Sequence, residues 1–202
     1  MAVVLNSTST TVATGFLPIN GYDGSGTYNN TDIAGGGIIR VKKTVYNTPT
    51  TFTGALDTTH SLNSLFSVSL TPTSTSSRFL INCRFSGEVQ QSYNFMFHVM
   101  RKIGTGSFAS ITIPTVTYDS RNFGLIAPGE SYAVNGSNFG TTPCGADYWW
   151  MDAPGTTSTV EYALGYRSSG GSTTIYINRT RTDQTDAAER MSSSIMVMEV
   201  TG

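Results

Sequence analysis

The sequence predicts an all-β fold, an antiparallel β-sandwich or jelly roll, and three observations carry that expectation. Short apolar runs alternate with polar residues at a period of two, as in Phe66, Val68 and Leu70 against Ser67 and Ser69, the pattern of a strand with one buried face. Turns rich in Thr, Ser and Gly separate the runs. No stretch holds a 3.6-residue apolar period: the best candidate, DQTDAAER at 183–190, has Ala187 and Ala188 but no stripe, and supports one helical turn at most.

The runs can be taken in order from Gly37. SRFLINCRFSG sets Phe79, Ile81, Cys83 and Phe85 on one face and Arg78, Asn82 and Arg84 on the other, a clear amphipathic strand. In YNFMFHVMRK both faces carry large side chains, Tyr93, Phe95, Phe97 and Val99 against Asn94, Met96, His98 and Met100, so burial on both sides is expected. Between Gly104 and Ala146 the alternation fades into a loop-rich excursion broken by ITIPTVTY. DYWWMDA and STVEYALGY follow, the latter alternating through Val160, Tyr162, Leu164 and Tyr166. Ser168-Ser169-Gly170-Gly171 then leads into STTIYINRT, and a Gly pair between two β-branched runs predicts a hairpin. The final run, SSSIMVMEV, turns Ile195, Val197 and Glu199 to one side and Met196, Met198 and Val200 to the other. A terminal strand apolar on both faces predicts burial against a second surface, such as a neighbouring subunit.

Residues 1–36 read differently. They are rich in Ser, Thr, Gly and Asn with isolated anchors at Leu5, Phe16, Leu17 and Ile19, too few to build a core. An extended N-terminal docking arm followed by one domain at 37–202 is the expected organisation, with Gly35 to Gly37 as a hinge. Those glycines lack the following Lys-Ser/Thr and helix that a phosphate-cradling loop requires.

Composition narrows function. Thr and Ser supply 55 of 202 residues and charged residues only 12%, against roughly 25% in an ordinary soluble domain. Twelve basic and thirteen acidic residues give no single-sign field, so nucleic acid is not an expected partner. No apolar run approaches a membrane span, and MAVVLN is too short for a signal peptide, so synthesis in a cytoplasm without general export is expected. Four Asn-x-Ser/Thr triplets, at Asn6, Asn29, Asn135 and Asn178, are then chance. Cys83 and Cys144 are expected to remain separate thiols.

No catalytic residue, metal ligand or cofactor site is expected. His98 stands in a strand with no Cys, Asp or Glu at metal spacing, and His60 is isolated. No Gly-x-Ser-x-Gly elbow precedes a helix. Glu88, Asp119, Glu130, Asp147, Asp152 and Glu161 could in principle supply a glycosidase-type carboxylate pair, but the sequence selects no pair. Tyr118, Phe123, Tyr132 and Phe139, set among Asn, Gly and Ser, are receptor-contact candidates of the rigid-aromatic, adaptable-polar kind; anchoring the excursion to the sheet is the plainer role for them.

SLTPTSTSSRFLI, MDAPGTTSTVEYALGY, SSGGSTTIYINRT and SSSIMVMEV, in that order, resemble small β modules of tailed bacteriophages, particularly those of cyanobacteria and marine bacteria. The resemblance covers about residues 38–202; the excursion at 104–146 has no counterpart. It implies a jelly-roll knob or head decoration that forms a homotrimer about a threefold axis and is fixed to the virion by its N-terminal arm. Under it, Met96, Met100, Met196, Met198 and Val200 are the trimer-interface candidates. Two readings follow: a capsid decoration or head-fibre protein bound to other virion proteins, and a tail-fibre tip that recognises a host surface glycan or protein. A carbohydrate-active enzyme is the third, from a different class, and loss of viscosity of host polysaccharide would be its signature.

Overall fold

The computed structural model describes residues 37–55, 60–62, 64–90, 95–112, 124–127, 143–168, 173–182 and 189–200. They form eleven strands: β1 (Ile38–Tyr46), β2 (Thr50–Gly54), β3 (His60–Ser61), β4 (Ser67–Leu70), β5 (Arg78–Val89), β6 (Phe95–Ile103), β7 (Ala109–Ser110), β8 (Cys144–Asp152), β9 (Val160–Ser168), β10 (Thr173–Ile177) and β11 (Ser193–Val200). Every pairing between them is antiparallel.

The first sheet runs β1-β11-β5-β8, and β10 with β2 continues along the stretch of β5 that β11 leaves free. The second runs β4-β9-β6-β7, with β3 beside β4 on the same edge of β9. With β2, β3 and β10 set aside and the other strands renumbered in chain order, the sheets read 1-8-3-6 and 2-7-4-5. That interleaving of two Greek keys is the jelly roll, and it confirms the all-β sandwich expected from the alternation.

The core lies where the inner faces meet. Phe79, Ile81, Cys83 and Phe85 of β5 and Ile195 and Val197 of β11 are fully buried against Phe97 and Val99 of β6 and Tyr162, Leu164 and Tyr166 of β9. Ring pairs tie the sheets together: Phe85 and Phe97 have centroids 4.9 Å apart, and Phe79 and Tyr162 5.7 Å. Aromatic pairs of this geometry stabilise beyond their burial, and truncating one such ring costs about 3–5 kcal/mol.

Along one side the sandwich is closed by a polar ladder. Arg40, Lys42 and Thr44, alternate residues of β1, donate to the main-chain carbonyls of Thr71, Ser69 and Ser67. These inward-turned side chains occupy carbonyls at or beside β4, which blunts that edge against foreign strands. Where β11 and β10 meet along β5, a second polar knot fills the gap. Ser86 N–H donates to Ser193 Oγ (3.1 Å), which donates to Asn178 Oδ1 (2.8 Å), while Asn178 Nδ2 reaches Tyr46 O (2.6 Å). Asn178 has φ 59°, the left-handed region that Asn tolerates better than most residues. Beside it Gly87 is obligatory: a Cβ there would sit 2.0 Å from Tyr176 O.

Three expectations need correction. The hairpin expected at 168–171 is absent, because β9 and β10 belong to different sheets; both edges of β9 are taken by β6 and by β3 with β4, so the chain crosses to β5. Cys144, inside the stretch between Gly104 and Ala146 expected to be loop-rich, opens β8. The excursion at 104–146 therefore ends earlier than Ala146, and part of it returns to the sheet as β7. The helical turn considered at 183–190 falls mostly outside the described residues.

Candidate functional site

Leu5, Phe16, Leu17, Ile19, Tyr118, Phe123, Tyr132 and Phe139 lie outside the described residues, as do Asp119 and Glu130 and the side chain of His60. The remaining candidates can be placed.

His98 is buried on the outer face of β6, its Nδ1 2.8 Å from Ser110 Oγ. Part of the protein's own excursion lies beside it: Leu125 N–H donates to Phe97 O and Phe97 N–H to Ile126 O, both at 2.8 Å, which lays residues 124–127 along the edge of β6 beyond β7. Gly124 makes the approach possible, since a Cβ would stand 2.5 Å from Met96 Cβ. Met100 is buried on the same face. The two-sided burial expected of this strand is thus supplied at Met100 from within the chain.

Five of the described carboxylates are held, each by different partners. Asp152 receives Arg101 Nη1 at 2.8 and 3.0 Å and the hydroxyl of Tyr162 at 2.7 Å. Glu161 pairs with Lys102 and accepts from Ser67 Oγ; burial raises its pKa, but these contacts outweigh it and leave the group below the usual range. Asp147 accepts from Asn82 Nδ2 at 2.6 Å. Glu88 accepts from Arg181 N–H at 2.6 Å, and burial holds its carboxyl above the usual value. Glu199, which the sequence places on an apolar face, is fully buried and receives Arg40 Nε and Thr73 N–H, each at 2.6 Å. Burial pushes its pKa up, yet these bonds together with Ser77 draw it below the normal range. Among the described residues no three His, Cys, Asp or Glu side chains form a metal-binding group.

Both cysteines are free. Burial raises the Cys83 thiol to about 12, and burial reinforced by the charge of Glu88 raises Cys144 to about 11. Nucleophilic cysteines carry depressed values instead.

What stands out is the outer face of the first sheet. Strand register places Val41, Met198, Leu80 and Met151 in one row across β1, β11, β5 and β8, with Lys43, Met196, Asn82 and Trp149 in the next and Val45, Ser194, Arg84 and Asp147 beyond it. Val200 and Ile38 extend the apolar side. All the large hydrophobics exposed among the described residues lie on its two outer strands: Ile38 (60%), Ile39, Val41 (50%) and Val45 on β1, Trp149 (48%) and Met151 (50%) on β8. Met196, Met198 and Val200 lie half-buried on this face, whereas Met96 and Met100 are on the outer face of the opposite sheet. The five interface candidates do not form one surface. Sequence reasoning misses Trp149, Met151, Val41 and Leu80; the period-two pattern of DYWWMDA, taken outward from Tyr148, is the available signal for the β8 pair.

No protein-family model and no curated protein matches the chain. Among solved structures it is similar to that of the infectious bursal disease virus Gt strain (TM-score 0.35, 10% identity, 82% of this chain and 39% of that one). It is also similar to the VP2 subviral particle of that virus (TM-score 0.30, 13% identity, 80% and 39%). The chain spans about two fifths of those proteins' length. A likeness at such scores transfers no function; the fold assignment rests on the strand pairing itself.

Proposed function

We propose that the protein is a non-enzymatic virion structural protein of a tailed bacteriophage, a trimeric jelly-roll knob held to the particle by residues 1–36 as a capsid decoration or head-fibre protein. The observation that carries this reading is the apolar outer face of the first sheet, uncovered among the described residues, on a jelly-roll frame. A contiguous exposed apolar face marks an association surface, and jelly rolls are a common frame of capsid modules. The sequence motifs that resemble phage modules supply the rest, as fold alone does not assign function.

Immunogold electron microscopy of intact particles tests it. Gold distributed over the capsid is the expected result. Gold confined to the tail would transfer the assignment to a receptor-binding fibre tip, and the absence of gold from particles would remove the virion role. Deleting residues 1–36 is expected to leave a folded oligomer that fails to join particles; normal incorporation would overturn the docking arm.

A further inference from the structure

The two ends of the first sheet are complementary to each other. β1 pairs only with β11, and β8 only with β5, among the described residues, so β8 offers an outer edge of nine residues and β1, past the irregularity between Ile38 and Arg40, a regular edge over 40–46. Neither strand carries a proline. Unpaired edges of that length invite strand addition unless something blunts them.

Resting on the trimer reading above, we propose that β8 of one copy pairs antiparallel with β1 of the next, joining the first sheets edge to edge into a closed ring of three. Chain direction allows it. β8 runs parallel to β11 and so antiparallel to β1, and a copy rotated about an axis along the strands keeps that relation.

Side-chain chemistry selects the register. With Lys43 opposite Asp147, Val41 falls opposite Trp149 and Val45 opposite Gly145, since each pair of residue numbers then sums to 190. Opposite charges and apolar side chains are matched at once, and such cross-strand pairs are the stabilising unit of a sheet. A slip of two residues one way sets Lys43 against Trp149 and Val45 against Asp147; the other way sets Val41 against Asp147. A slip of one turns the exposed apolar set of one strand to the wrong face.

The geometry also disposes of the outer face. Because the second sheet fills the opposite side of each sandwich, the ring closes only with the bare faces turned toward the axis. Val41, Met151, Met196 and Met198 are then buried among three copies. The interface is heterologous, a strand of one kind against a strand of another, and rotation closes it.

Purified full-length protein measured by size exclusion with light scattering tests the pairing. Wild type is expected as a trimer. Lys43→Glu and Asp147→Lys are each expected to weaken assembly roughly 10-fold or more per interface, because they set like charges opposite one another. The double variant should restore the trimer. Both side chains are exposed, so the monomer should keep its fold, checked by its thermal transition. Persistence of the trimer in both single variants, or failure of the double variant to restore it, would overturn the edge pairing and leave the trimer reading intact. A monomeric wild type at micromolar concentration would overturn both, without touching the particle location that immunogold decides.

Discussion

The two outer faces of this sandwich solve the same problem in opposite ways. On the second sheet, Met100 and His98 are buried on the outer face of β6, with His98 bonded to Ser110 of β7 and residues 124–127 returning from the chain's own excursion to the edge of that strand. On the first sheet, the row from Val41 through Met198 and Leu80 to Met151 has no such cover among the described residues. An apolar face that a chain covers for itself contributes to the monomer's stability; one left bare contributes only when another molecule arrives. Substitutions on the two faces should therefore be read out by different experiments.

The largest effect is expected on the covered face. Met100→Asp would bury an unpaired carboxylate and should cost more than about 4 kcal/mol in urea unfolding. Met198→Asp, at the middle of the bare face, should cost the monomer no more than about 1 kcal/mol while abolishing the oligomer in light scattering. If Met198→Asp left the oligomer intact, the contrast would fail. Gly124→Ala should loosen the cover, costing about 1–3 kcal/mol by crowding Met96 and Phe97, and amide exchange should accelerate at Phe97 more than at Val197.

A smaller effect should follow from pH. The folded pKa of Glu199 lies below its unfolded value, so its contribution to stability is present above the unfolded value near 4.5 and fades as pH falls through the folded one. Glu88 runs the other way: its raised folded pKa means that stability declines as pH rises through it. Glu88→Gln should then raise the melting temperature at pH 8 by about 2 °C and leave it little changed at pH 4, measured by calorimetry.

The strands that alternate cleanly are legible in the amino-acid sequence. Phe79 to Phe85, Val160 to Tyr166 and Ile195 to Val197 fall on the faces their period assigns, because one buried face imposes that period. β1 escapes such a reading. In IIRVKKTVY the inward positions hold Arg40, Lys42 and Thr44, which reach carbonyls of the neighbouring sheet instead of an apolar core, so the usual alternation is inverted. Glu199 is masked similarly: a charge in an apolar run looks like a misfit until Thr73, Ser77 and Arg40 are seen around it. The site is half legible. Met196, Met198 and Val200 follow from one strand, but joining them to Leu80, Met151 and Val41 requires the order of four strands, which no local pattern contains. That order also separates Met96 and Met100 from the rest.

The place of β11 between β1 and β5 has a kinetic consequence. The bond between Arg40 and Glu199 joins positions 159 residues apart, and β1 gains its sheet partner only after the last strand has docked. Such non-local closure slows folding. Until then β1 stands detached and the edge of β5 is open, so the bare face exists only once the protomer is complete. In the proposed ring, self-recognition through that face would therefore follow folding.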